Sequence, residues 1–128
     1  MADFPTMKAT RPARCDFVLW EQRSSAGFSR KTIAVTPAAD VPAGSLVDDN
    51  GAVVTVAKAS ADVDAAKIKG ISLFGFNKTK GMFDDGSVEM CVLYRDAEVK
   101  SSILPADADI AKAITAQLEK MRIRVVSL

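Results

Sequence analysis

The stretch RDAEVKSSILPADADIAKAITAQLEKMRIRVV, from Arg95 to Val126, constrains the fold more than any other part of the chain. A charged turn leads into a short apolar step ending at Pro105, and an amphipathic segment follows. Ile110, Ile114, Leu118 and Met121 fall at steps of four, four and three residues, which draws one apolar stripe along a helix. Asp107 or Asp109 can cap its start and complement the positive end of the helix dipole. Lys120 and Arg122 sit at the opposite end, where cations are favoured. Ile123 to Leu128 then leaves as a terminal strand. A stripe at this spacing packs a core and seldom holds a ligand, and nothing in the order of these segments serves catalysis. The function is therefore sought at surfaces.

The rest of the chain reads as short strands and turns. KTIAVT (Lys31 to Thr36) alternates Ile33 and Val35 with polar neighbours, as a half-buried strand does. Val41-Pro42-Ala43-Gly44 suits a type I turn and feeds a strand at Ser45 to Val47. Asp48-Asp49-Asn50-Gly51 predicts a hairpin through a primed Asn-Gly turn, with Ala52 to Ala57 returning. DVDAAKIK, within Lys58 to Lys69, has the composition for one helical turn. Gly70 to Phe76 is an apolar strand in which Gly75 marks a bulge or a close backbone approach. Ser87 to Tyr94 is the longest strand. Val88, Met90, Val92 and Tyr94 share one of its faces and Glu89, Cys91 and Leu93 the other, a pattern that predicts a central position. The polar loop from Asn77 to Gly86 precedes it. The fold class expected is α+β: a small β-rich mixed domain with one main C-terminal amphipathic helix and a flexible N-terminal arm.

Composition narrows the chemistry. The chain has 128 residues, enough for one hydrophobic core, with 48% apolar and 6% aromatic residues. A net charge of +1 gives no whole-chain drive toward nucleic acid or an anionic membrane. No apolar run approaches the length of a membrane helix, and the N-terminus lacks the apolar stretch of a secretory signal, so synthesis in the cytoplasm is expected. The chain has no His, which removes the commonest metal ligand and the usual general base near neutral pH. Cys15 and Cys91 read as a thiol in an irregular arm and a small buried hydrophobe. The acidic pairs Asp48-Asp49 and Asp84-Asp85 belong to turns, where Asp bonds local backbone. No catalytic, cofactor-binding or metal-binding residues are assigned. Arg95-Asp96 reads as a local ion pair or turn. Lys67, Lys69, Lys78 and Lys80 with Phe74 and Phe76 form the weaker reading, a nucleic-acid patch.

Residues 1–25 differ from the remainder. Pro5, Pro12, Arg11, Arg14 and Arg23 show no sustained period, and DFVLWEQ (Asp16 to Gln22) alone has the composition to pair as a strand or to dock. Phe17, Val18, Leu19 and Trp20 form an apolar cluster that is costly to leave in water. The sequence divides into an N-terminal arm over 1–25 and a β-rich domain over 26–128. The arm reads either as a frayed terminus or as a segment that orders on a partner.

In series, SRKTIAV (Ser29 to Val35), PAGSLV (Pro42 to Val47), KGISLF (Lys69 to Phe74) and VLYRDAEVKSSIL (Val92 to Leu104), followed by the helix and IRVV, resemble the lambda-type head decoration proteins of tailed bacteriophages. The resemblance covers roughly residues 26–128. It implies a non-enzymatic cementing subunit, a homotrimer that binds the major capsid protein at three-fold sites of the expanded shell and holds it against DNA pressure. It implies a place on the outer surface of the virion, with no membrane, nucleic acid or cofactor as partner. It also implies that the arm orders on the capsid by extending a sheet, a role that falls on Phe17, Val18, Leu19 and Trp20. Trp20 is the favoured anchor. The Asn77 to Gly86 loop departs from the lambda member in being longer. The alternatives are another virion structural subunit, from a tail or head-completion apparatus, and a small ligand- or nucleic-acid-binding domain.

Overall fold

The computed structural model describes residues 16–24, 27–35, 40–76 and 89–127. Among them the order is β1 (Val18–Glu21), β2 (Arg23–Ser24), β3 (Gly27–Phe28), β4 (Arg30–Ala34), β5 (Leu46–Val47), α1 (Ala61–Ala65), β6 (Gly70–Ser72), β7 (Glu89–Leu93), β8 (Ala97–Lys100), α2 (Ala108–Lys120) and β9 (Ile123–Val126). The protein is a β-rich α+β domain with one main C-terminal helix. The Asn77 to Gly86 loop, Val88, Cys15 and the Asp84-Asp85 pair lie outside the described residues.

Two sheets carry the domain. A four-stranded antiparallel sheet has the order β4-β7-β6-β5, and a three-stranded sheet has the order β1-β8-β9. In the second, β1 runs antiparallel to β8 while β9 runs parallel to it, so β8, α2 and β9 form a β-α-β unit. A short β2-β3 ribbon joins β1 to β4.

Strand β7 lies between β4 and β6, as its two apolar faces predict. Met90 and Val92 join Val35, Val41, Val47 and Phe76 in one cluster. Leu93 and the half-buried Cys91 turn to the larger cluster, which holds Ile68, Ile71, Leu73, Val99, Ile114, Leu118 and Ile123. Helix α2 closes that larger core with Ala113, Ile114 and Leu118 fully buried and Ile110 and Met121 at its margins. Of the two candidate caps, Asp107 is the one used: its carboxylate accepts from the Asp109 and Ile110 N–H groups at 2.9 and 3.1 Å.

Local turn chemistry corrects three readings. The Ser45 N–H bonds to the Pro42 carbonyl at 3.2 Å, so the turn is framed one residue later than predicted. Gly44 then supplies the positive φ of a type II turn, at 85°. At Asp48 to Gly51 the positive φ falls on Gly51, at 80°, and not on Asn50. The loop is therefore an ordinary turn followed by a left-handed glycine, not a primed Asn-Gly turn. The Asp48 carboxylate accepts from the Asn50 and Ala52 N–H groups at 2.8 and 3.1 Å, the local backbone role expected of it. The return segment forms no full strand but a bridge of Val53 with Val47, flanked by the Val54 N–H on the Leu46 carbonyl at 2.8 Å and the Asp48 N–H on the Ala52 carbonyl at 3.0 Å. The close approach expected at Gly75 occurs instead at Gly70, where a β-carbon would lie 3.2 Å from the Leu93 carbonyl oxygen.

Candidate functional site

Strand β1 belongs to the folded domain. Phe17 is 7% exposed and lies in the larger core cluster, with Val18 half-buried against the same cluster. The Lys100 N–H bonds to the Phe17 carbonyl at 2.7 Å. Glu21 forms a two-pronged ion pair with Arg30 at the start of β4, its Oε2 accepting from Nη2 at 2.7 Å. Ser29 ties the same corner together. Its fully buried hydroxyl donates to the Asp96 carbonyl at 2.6 Å and accepts from the Gln22 N–H at 2.7 Å. The 1–25 arm therefore divides. Residues 1–15 lie outside the described residues, and 16–24 are structural parts of the domain. Deleting 1–25 would strip β1, β2 and a core aromatic, so a trimmed, intact domain is not the expected product.

The cluster of four sites splits with it. Val18 pairs with Val99 and faces inward, whereas Leu19 and Trp20 are 39% and 51% exposed. The cause is a bulge. Between Val18 and Trp20 strand β1 spends two steps against one step of β8, because Val18 opposes Val99 and Trp20 opposes Glu98. In strict alternation Trp20 would return to the face of Val18 and enter the core. The extra residue, Leu19, turns it to the outer face, a known use of bulges.

On that outer face Trp20, Glu98 and Arg124 stand side by side across the three strands. Arg124 Nη1 lies 3.6 Å from Glu98 Oε2. Beside them Arg122 grips Asp96, with Nε to Oδ1 at 2.8 Å and Nη2 to Oδ2 at 3.2 Å. Asp96 and Arg122 are the two non-glycine residues with positive φ among those described, at 47° and 60°. Such conformations cost about 1 kcal/mol or more each and persist where surrounding structure enforces them. Here the N–H of Asp96 bonds to the Met121 carbonyl and that of Ala97 to the Arg122 carbonyl, which locks both turns together. A shallow groove of about 540 Å³ results, lined by Trp20, Gln22, Asp96, Glu98, Arg122 and Arg124. The sequence located Trp20 but not its charged neighbours, of which Asp96 and Glu98 lie nearly eighty and Arg122 and Arg124 about a hundred residues further along the chain. A second groove, about 550 Å³, opens beside Asp16 and Phe17 and is lined by Leu46, Val53, Val54 and Ile103.

The alternative surfaces fare differently. Phe76 is buried in the smaller core and Phe74 packs against the larger one, so neither offers a stacking platform. Lys67 pairs with Asp64 at 3.8 Å. Lys78 and Lys80 lie outside the described residues. Lys31 and Arg95 instead flank the Tyr94 ring, at 4.6 and 5.1 Å from its centroid. Among the described residues no group of three or more His, Cys, Asp or Glu side chains is placed to hold a metal ion, and no helix is long and apolar enough to cross a membrane.

No protein-family model matches the sequence, and no curated protein is significantly similar to it.

Proposed function

We propose that this protein is a bacteriophage head decoration protein, a non-enzymatic subunit that binds the major capsid protein as a homotrimer at three-fold sites of the expanded shell. The observation that carries the reading is the Leu19-Trp20 pair, held outside the domain by a bulge on β1. Strand β1 is an edge strand whose outer side pairs with no strand of its sheet among the described residues. An edge of this kind accepts a partner strand, with backbone hydrogen bonds setting register and exposed side chains supplying anchors. The ordered likeness of Ser29 to Val126 to lambda-type decoration proteins supplies the partner class.

Within this reading the four cluster residues take two roles. Phe17 and Val18 fasten the strand to its own core. Leu19 and Trp20 present apolar surface to the shell, and an aromatic at such a position typically dominates interface energy. Three copies acting together at a three-fold site convert modest contacts into durable attachment. The test is co-sedimentation with expanded empty heads assembled from the major capsid protein of the same phage. The protein should pellet with heads and saturate at a multiple of three copies per three-fold site. Failure to pellet with them contradicts the proposal.

A further inference from the structure

We infer that the outer face of the β1-β8-β9 sheet docks an acidic, extended peptide segment carrying an apolar residue. The inference rests on the decoration reading for its partner, a subunit of the shell, and adds the chemistry by which that partner is recognised. Three departures from ordinary local structure converge on this face: the bulge at Leu19 and the left-handed backbones of Asp96 and Arg122. Convergence of this kind is characteristic of functional surfaces.

The charges on the face are layered. The side chains of Arg122 and Arg124 are 71% and 76% exposed, whereas their partners Asp96 and Glu98 are 30% and 38% exposed. A partner approaching the sheet meets guanidinium groups first, with the carboxylates beneath orienting them. Alternation along β8 places Lys100 on the same face as Glu98, at the neighbouring groove beside Asp16 and Phe17. Trp20 borders these cations with an exposed indole. The combination suits a carboxylate that reaches a guanidinium while a neighbouring apolar side chain covers the indole. Nucleic acid fits less well. Among the described residues the face carries one aromatic, Trp20, instead of a stacking series.

The experiment measures binding of four variants to the expanded heads at low and raised salt, with folding of each checked by circular dichroism. Arg124→Glu and Trp20→Ala should each weaken binding by at least about tenfold. Arg124→Gln should fall between Arg124→Glu and wild type. Lys69→Glu, exposed just before β6 of the other sheet, should bind as wild type does. Raised salt should weaken wild type more than Arg124→Glu. If wild type binds heads and both Arg124→Glu and Trp20→Ala bind equally well, the docking inference fails while the decoration reading stands. If wild type does not bind heads, both fail. Trp20 is the sole tryptophan, so its emission reports the face directly. Quenching by an oligothymidylate that also displaces the protein from heads would overturn the inference in favour of nucleic acid.

Discussion

The two faces of the three-stranded sheet are built from the same strands yet obey opposite rules. The inner face carries Val18, Val99, Ala97 and Ile123 above Ile114 and Leu118 of α2, and its side chains enter a continuous core. The outer face carries an indole and two ion pairs, and it is reached by a bulge and two left-handed residues. The inner face is what any stable domain of this size needs. Among the described residues the outer face departs from local preference while leaving Leu19 and Trp20 exposed, which is the feature the docking proposal accounts for.

Substitutions across the sheet separate the two rules. Phe17→Ala should lower unfolding free energy by about 3–5 kcal/mol, as truncation of a core aromatic does, read by urea denaturation. Equal stability of Phe17→Ala and wild type would return Phe17 to the exposed cluster. Gly51→Ala, away from the sheet, gives a backbone reference. Its β-carbon would collide with Val35 at a φ of 80°, and a loss of roughly 2 kcal/mol is expected. Removal of the α2 cap in Asp107→Ala should cost about 1 kcal/mol.

Deletion of Leu19 sharpens the comparison further. Val18 would still oppose Val99 and Trp20 would still oppose Glu98, so the strand loses its bulge without changing register. The deletion should cost no more than about 1 kcal/mol, and acrylamide should quench Trp20 as readily as in wild type. A blue-shifted, protected indole would mean that Trp20 had moved inward and that its pairing with Glu98 does not survive loss of the bulge. Trp20→Ala should change stability by only about 0.5 kcal/mol, since it lies outside the core.

The smallest effect concerns pH at α1. The Asp64 carboxylate accepts from the Ala57 N–H at 3.0 Å and the Ser60 hydroxyl at 2.7 Å, with Lys67 nearby, and these hold its pKa below the ordinary 3.8. A folded-state pKa below the unfolded value contributes stability above 3.8 that is lost as pH falls through the folded value. The protection factor of the Ala57 amide, its exchange relative to the intrinsic rate at each pH, should therefore fall on acidification below 3.8, and Asp64→Asn should abolish that dependence.

What was legible in the sequence was what is decided within a few residues. Helix α2 follows from its cap and its 3.6-residue stripe, and the central place of β7 follows from its two apolar faces. The single turn of α1 was visible in the composition of 58–69. The turn at Asp48 to Gly51 was visible as a turn, but which residue took the positive φ was not. That choice depends on Val35 crowding Gly51 from elsewhere in the chain. The division of Phe17-Val18 from Leu19-Trp20 was not legible, because the register that creates the bulge is set by β8, about eighty residues downstream. For the same reason Arg95-Asp96 was legible as a turn, which the chain makes there, while the two-pronged pairing of Asp96 with Arg122, brought alongside by the parallel pairing of β8 and β9, was not.

Cryo-electron microscopy of expanded heads incubated with the protein tests the central claim most directly. The account predicts trimeric density at the three-fold sites, with the outer face of β1 and Trp20 against the shell. Heads without added density, or trimers whose Trp20 face points to solvent, would contradict it.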